Sequence, residues 1–305
     1  LNIDCVTALE ARVLLQTDHF PEALEKANSL IGNTAYSLIT SQEELQEMWT
    51  YDKSPETIFQ FYASKTELAY AWGSYFYSDY YNGQQSNMRL MYPDYIPTTE
   101  CVAKFEDGDW RRQVYFFDCS MNKPIDGVYY YPLIKGHSAY ALSGLTIVSK
   151  YPGNPDLRTS STWNYYNSFK VFRLAEMYLI AAEAAVQSNG DAATPLNELR
   201  KWRGLTTPLE NVTFEDVQNE RYREMMMEGT RLTDLKRWGL DMKRNGAQGG
   251  ILQNMENGKA EEGSYITEVN ANIEITKTDY RFVWPIPASE IFANGNLKQN
   301  SGWER

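Results

Sequence analysis

Glu220-Arg221-Tyr222-Arg223-Glu224 opens a run that continues through Glu228-Gly229-Thr230-Arg231 to Asp234-Leu235-Lys236-Arg237-Trp238-Gly239. Glu220, Glu224 and Glu228 stand four apart, so on a helix they stack along one ridge. Unneutralised like charges at that spacing cost a helix roughly 0.2–0.5 kcal/mol per pair. The same run supplies the neutralisers Arg221, Arg223, Arg231 and Arg237, with Asp234 three residues after Arg231. Forked guanidinium groups match carboxylates bidentately. The pattern predicts a helix over about 214–228 whose charges form a packed ion-pair lattice between helices. Clustered glutamates also suit acid/base chemistry, but ion-pair networks perturb carboxylates with no chemistry attached. The structural reading is preferred.

Working outward, Val171 to Val186 carries Leu174, Tyr178, Ala181, Ala182 and Ala185 at a helical period, with a small-residue face. Asn189-Gly190 reads as its C-terminal cap. Thr194-Pro195 reads as the start of a second helix, which presents Leu196, Leu199 and Trp202 and closes at Gly204. An earlier pair has the same design: Ala8, Ala11, Leu14 and Leu15 on one helix, then Thr17-Asp18-His19-Phe20, then Ala23, Ala27 and Leu30. Phe20, Ala23 and Ala27 resemble the second helix of a tetratricopeptide repeat, where small residues permit close approach; an ordinary helical hairpin gives the same pattern.

With 305 residues the chain can bury a substantial core in one large or two smaller domains. A net charge of −11 disfavours nucleic acid and anionic membrane, both of which require basic patches. No apolar stretch approaches the ~20 residues of a spanning helix. Cys5, Cys101 and Cys119 form no CxxC; Cys101 and Cys119 either pair or remain separate thiols. Two histidines leave little material for a histidine metal site. There is no nucleophile elbow, phosphate loop, zinc-protease motif or nucleotide fingerprint. No enzyme, cofactor or metal is expected. Asn245 to Gly250 lacks the ending of a phosphate loop and reads as a connection, within an irregular stretch over 245–280.

The middle of the chain differs in character. Ser41 and Glu44 form a capping box for a short helix to Trp49, and Glu56 to Tyr62 reads as β-rich. Tyr70 to Gly83 is crowded with tyrosine, tryptophan and phenylalanine and punctuated by Gly73, Ser78 and Asn82-Gly83. It shows no sustained period, which places it on loops. Tyr92, Tyr95, Tyr129-Tyr130-Tyr131 and Trp163 to Asn167 add further aromatic clusters. Rigid aromatic faces with polar rims suit sugars and peptides; a pyranose has an apolar C–H face for stacking and equatorial hydroxyls for polar partners. Each such ring can equally pack on the scaffold with its hydroxyl wet.

Arg173-Leu174-Ala175-Glu176-Met177-Tyr178-Leu179, Ala182-Glu183-Ala184, Leu196-Asn197-Glu198-Leu199-Arg200, the run from Glu220 to Gly239, Trp284-Pro285-Ile286-Pro287 with Glu290, and Asn294, Leu297 and Gln299 to Trp303 occur in a specific order. That series resembles the SusD/RagB family of outer-membrane nutrient-binding lipoproteins. Ser301 stands where the family usually has proline, and Asp109-Trp110-Arg111 and Lys150-Tyr151 are weaker matches. The resemblance implies a mainly α fold of tetratricopeptide-like helical pairs (an α/α superhelix), with long aromatic-rich loops and a few short strands. The expected organisation is a helical pair over 1–40, a loop-rich ligand-binding region over 41–170 and a C-terminal helical region over 171–305.

Family members carry a lipoprotein signal, an acylated cysteine and further repeats ahead of the position matching Leu1. Cys5 has no apolar run before it. The chain is therefore expected to be the C-terminal portion of such a protein, an unusually short paralogue being the alternative. The resemblance further implies capture of an oligosaccharide at the cell surface for a SusC-like TonB-dependent transporter, with a lipid anchor lying outside this sequence. Peptide capture, as in the RagB branch, and a protein–protein scaffold are the alternatives. The expected ligand-binding residues are Trp72, Tyr75, Tyr77, Tyr80, Tyr81, Asn82, Arg89 and Tyr95.

Overall fold

The computed structural model describes residues 2–67, 79–80, 88–91, 95–119, 129–132, 139–143, 145–159, 166–244, 251–254, 261–265 and 273–304. Its helices are α1 (Ile3–Gln16), α2 (Phe20–Ile31), α3 (Gln42–Thr50), α4 (Thr99–Ala103), α5 (Trp110–Tyr115), α6 (Leu174–Gln187), α7 (Ala193–Lys201), α8 (Phe214–Glu224), α9 (Arg231–Trp238) and α10 (Ala288–Ala293). Its strands are β1 (Thr57–Phe61), β2 (Asp79–Tyr80), β3 (Met88–Met91), β4 (Phe116–Cys119), β5 (Tyr129–Pro132), β6 (Ala139–Ser143), β7 (Leu145–Val148), β8 (Phe169–Arg173), β9 (Met242–Arg244), β10 (Ile251–Asn254), β11 (Glu261–Tyr265) and β12 (Ile273–Ile275). The strands form small separate ladders: β1–β8, β4–β7, β2–β3–β5, β6–β10–β11 and β9–β12. The fold is mainly α.

Alanine decides how the helices meet. Ala8 and Ala11 of α1, Ala23 and Ala27 of α2, and Ala181, Ala182 and Ala184 of α6 are fully buried in one cluster. Without long side chains between them the helix backbones approach closely, and α2 packs against both α1 and α6. Leu15, Leu30, Leu179, Leu196, Leu199 and Val217 fill the remaining space. Caps fix the ends. Asn2 accepts from Cys5 N at 3.0 Å, and Ser41 accepts from Glu44 N at 3.2 Å while Glu44 reaches back to Thr40 N. At Asn189 the chain turns left-handed (φ 57°), and Gly190 N donates to Ala185 O at 2.7 Å, as expected for the end of α6.

Five expectations are corrected. α6 begins at Leu174, not Val171, because Phe169–Arg173 pairs with β1 as strand β8. α7 begins at Ala193 with Ala192 at the N-cap, and Asp191 just before it accepts from Ala193 N and Thr194 N at 2.9 and 3.1 Å. α8 ends at Glu224, so Glu228 lies beyond the helix. Residues 251–254, 261–265 and 273–275 are strands inside a stretch expected to be irregular. Asp79–Tyr80 is a short strand where loop was expected. Of the two alternatives left open for Cys101, the free thiol is the one observed.

The ion-pair lattice is present and wider than the sequence pattern. Fully buried Glu224 accepts from Arg203 Nε and Arg111 Nη1, each at 2.9 Å, and from Arg173. Glu220 accepts from Arg111 Nη1 and Arg223 Nη2, each at 2.6 Å, and from Arg200 Nη1 at 3.1 Å. Arg203 also donates to Glu56, tying in the start of β1. Glu228 accepts from Lys150 Nζ and Arg173 Nη2 at 2.6 Å, and Lys150 lies over the rings of Trp49 and Tyr115 at 4.3 and 4.2 Å. A second set joins α6, α8 and α9: Arg221 to Asp234 at 2.8 Å, and Arg237 to Glu183 and Asp234 at 2.8 and 3.0 Å. Arg231, expected among the neutralisers, instead stacks on Tyr222 and Trp238.

Burial alone raises the pKa of Glu220, but Arg111 and Arg223 outweigh it and hold the carboxyl at about 2, against an ordinary 4.5. Glu224 is likewise held well below its ordinary range, because Arg203, Arg173 and Arg111 overcome its burial. A carboxylate depressed on folding contributes stability that is complete above its unfolded pKa and disappears as the pH falls through its folded pKa. The expected result is a melting temperature that falls steeply between pH 4.5 and about 2, about 3 kcal/mol being lost at Glu220 alone. Thermal melts in buffers across that window check it.

Candidate functional site

Trp72, Tyr75, Tyr77, Tyr81 and Asn82 lie outside the described residues. The other expected site residues are placed. Tyr80 sits on β2 opposite Leu90 of β3, and β3 runs parallel to β5 with Arg89 opposite Tyr130 and Leu90 opposite Tyr131. Tyr80, Leu90 and Tyr131 thus occupy one row across three strands. Backbone pairing brings Tyr80 into line with Tyr131, about 50 residues away in the sequence. Tyr95 is 59% exposed and stands just before the turn into α4.

Beyond Tyr95 the surface opens into a cleft of about 530 Å³ that sequence reasoning missed. Pro97, Thr99, Val102, Phe105 to Asp109, Arg112, Gln113 and Thr146 line it. Local chemistry shapes its floor. Thr98 caps α4 by accepting from Cys101 N at 3.2 Å, and Asp109 caps α5 by accepting from Arg111 N at 2.9 Å. Gly108 and Gly204 both have positive φ, and the Asp109–Trp110 turn is held by Trp110 N donating to Arg203 O at 2.9 Å. On the rim, Arg112 pairs with Asp118 at 3.0 Å, and Thr146 Oγ1 donates to Asp118 at 2.6 Å. The Arg200 guanidinium, donating to Glu106 at 2.9 and 3.1 Å, holds that carboxyl below its usual range. The cleft therefore offers hydroxyl, amide and guanidinium groups to a polar ligand. Its sequence signals are the turn chemistry around Pro97 and Asp107-Gly108 and the weak match at Asp109-Trp110-Arg111, neither of which by itself indicates a concave surface.

Among the described residues no group of three or more histidine, cysteine, aspartate or glutamate side chains could hold a metal ion. Among them, too, no helix is long and apolar enough to cross a membrane.

Alanine-faced helical pairs, buried arginine–glutamate pairing and short strands that carry tyrosines define a tetratricopeptide-like, mainly α protein. The model of the SusD family matches residues 46–303, and the chain belongs to that family. It is 32% identical over 162 residues to the starch-binding protein SusD of Bacteroides thetaiotaomicron, an alignment covering 53% of this chain and 26% of that one. Among solved structures, it is similar to a SusD superfamily protein from the same organism, with a TM-score of 0.67 and 23% identity over 98% of this chain and 60% of that one. A surface glycan-binding protein A from Bacteroides thetaiotaomicron gives a TM-score of 0.66 and 20% identity, with 99% of this chain and 64% of that one covered. The chain thus spans about a quarter of its curated relative and about 60% of the solved ones.

Proposed function

We propose that this chain is part of a non-enzymatic cell-surface protein that captures oligosaccharides and passes them to a SusC-like TonB-dependent transporter. One observation carries the reading: a family member that shares 32% identity over 162 residues is named for binding starch. Aromatic content supports it, since stacking on tyrosine and tryptophan is the chemistry that a pyranose face requires. On this reading Trp72, Tyr75, Tyr77, Tyr80, Tyr81 and Tyr95 supply stacking surfaces, and Asn82 and Arg89 supply hydroxyl partners. The full-length protein is held on the outer face of the outer membrane by a lipid anchor.

Affinity is modest, because an open aromatic platform covers less of its ligand than an enclosed pocket does. Loss of one stacking ring costs roughly 1 kcal/mol or more, so Trp72→Ala should weaken glycan binding at least about fivefold with unchanged melting. A glycan array probed beside a peptide pool tests the ligand class. Retention of peptides with no glycan signal would replace the sugar reading with a peptide-capturing one.

A further inference from the structure

Away from the aromatic segments, two cavities meet at Tyr222. One, of about 360 Å³, is lined by Glu100, Lys104, Tyr222, Arg231, Lys243 and Arg244 among others. Its neighbour, of about 250 Å³, is lined by Lys104, Glu215, Gln218, Asn219, Tyr222, Arg231 and Trp238, with Leu240 at the edge. Lys104 and Arg231 border both. The Lys104 ammonium and the Arg231 guanidinium lie 5.8 and 5.0 Å from the centre of the Tyr222 ring, and Arg231 also covers Trp238 at 5.7 Å.

The charge here runs against the rest of the protein. The chain carries a net −11, and its buried cations are matched to carboxylates, whereas Lys104 and Arg231 stand exposed at the groove. Among the described residues neither Lys104, Arg231 nor Arg244 forms an ion pair. Lys243 does, with Glu274 at 2.8 Å, and the carboxylates Glu100 and Glu215 also line the two cavities. Asp234, the nearest carboxylate on α9, is taken by Arg221 and Arg237. Partial burial lowers the Arg231 pKa, although Tyr222 and Asp234 act to raise it. Beside these cations stand groups suited to a sugar: the rings of Tyr222 and Trp238 and the side-chain amides of Gln218 and Asn219.

We propose that this groove is a second subsite, which takes an anionic group (a carboxylate or sulfate ester) carried on an oligosaccharide. Lys104 and Arg231 hold the charge, and Tyr222, Trp238, Gln218 and Asn219 meet the ring that bears it. The inference rests on the oligosaccharide reading but not on the same residues, so the two fail separately.

The test is calorimetric titration of the intact protein with an oligogalacturonide and with the same oligomer fully methyl-esterified, which keeps the backbone and removes the charge. The acid form should bind at least about tenfold more tightly, lose affinity as salt rises, and bind about fivefold more weakly to Lys104→Gln and to Arg231→Gln. Both variants should melt as the parent does, and Trp72→Ala should keep the preference for the acid form. Equal affinity for acid and ester, no binding of the acid form, or unchanged affinity in both variants would overturn the subsite. Inorganic sulfate or an oligoglutamate bound as tightly as the acid oligomer would overturn its assignment to a sugar. Binding of the acid form with no neutral glycan bound by the parent would leave the groove standing and remove the aromatic site.

Discussion

Glu224→Ala is expected to lower the melting temperature by roughly 10 °C while leaving ligand affinity, measured well below that temperature, unchanged. Glu224 is fully buried and accepts from Arg111, Arg173 and Arg203, which come from three separate parts of the chain. Removing it leaves guanidinium groups buried with a carboxylate missing, and breaking a buried pair from one side typically costs ~3–5 kcal/mol. Arg111 retains Asp109 and Glu220, Arg173 retains Glu228, and Arg203 retains Glu56, so the loss falls within that range rather than above it. Differential scanning calorimetry with a binding titration on the same sample checks the result. Unchanged melting with abolished binding would mean that the lattice is itself a ligand site.

Gly204→Ala is the second large effect, with an expected loss of about 3 kcal/mol of stability. Gly204 has φ 89°, a region that an alanine enters only under strain. A methyl group placed there would lie 2.3 Å from Gly108 O and 2.6 Å from Trp110 Nε1. The first of these is backbone, so a simple rotamer change cannot relieve the contact. The α7 end would separate from the Asp109–Trp110 turn, and with it from Arg111 in the lattice and from one wall of the cleft. Denaturant unfolding measures the loss, and a variant as stable as the parent would contradict the packing described for this turn.

Local periodicity made the helices legible. Ala8, Ala11, Ala23 and Ala27 fell on buried faces because a small-residue stripe carries its own spacing. The Glu220–Glu224 ridge was legible for the same reason, but its partners were not. Arg111 meets Glu220 across 109 residues, and Lys150 meets Glu228 across 78, separations that no window of sequence reveals. Asp109-Trp110-Arg111 and Lys150-Tyr151 stood out only as weak family matches, although they sit in the middle of the charge network. Val171 fitted the helical period ahead of Leu174, yet pairing with β1 kept 169–173 extended. Tertiary pairing overrode local propensity there, as it did for β10 to β12.

The candidate site was legible as composition more than as geometry. Tyr80 and Arg89 were grouped by sequence proximity, and the strands set them in one ladder with Tyr129 to Tyr131. The cleft beyond Tyr95 and the groove at Tyr222 come from concavity between elements distant in sequence. Arg231 read as one more neutraliser because its charge was visible and its stacking partners were not.

The central claim is that this chain binds oligosaccharides through its aromatic segments. Its most direct test is calorimetric titration of the parent and of Trp72→Ala with a starch-derived oligosaccharide series and, in parallel, with a peptide pool. The account predicts saturable glycan binding by the parent, at least about fivefold weaker binding by the variant, equal melting of the two and no specific peptide signal. Specific peptide binding without glycan binding, or glycan binding unaffected by loss of Trp72, would contradict it.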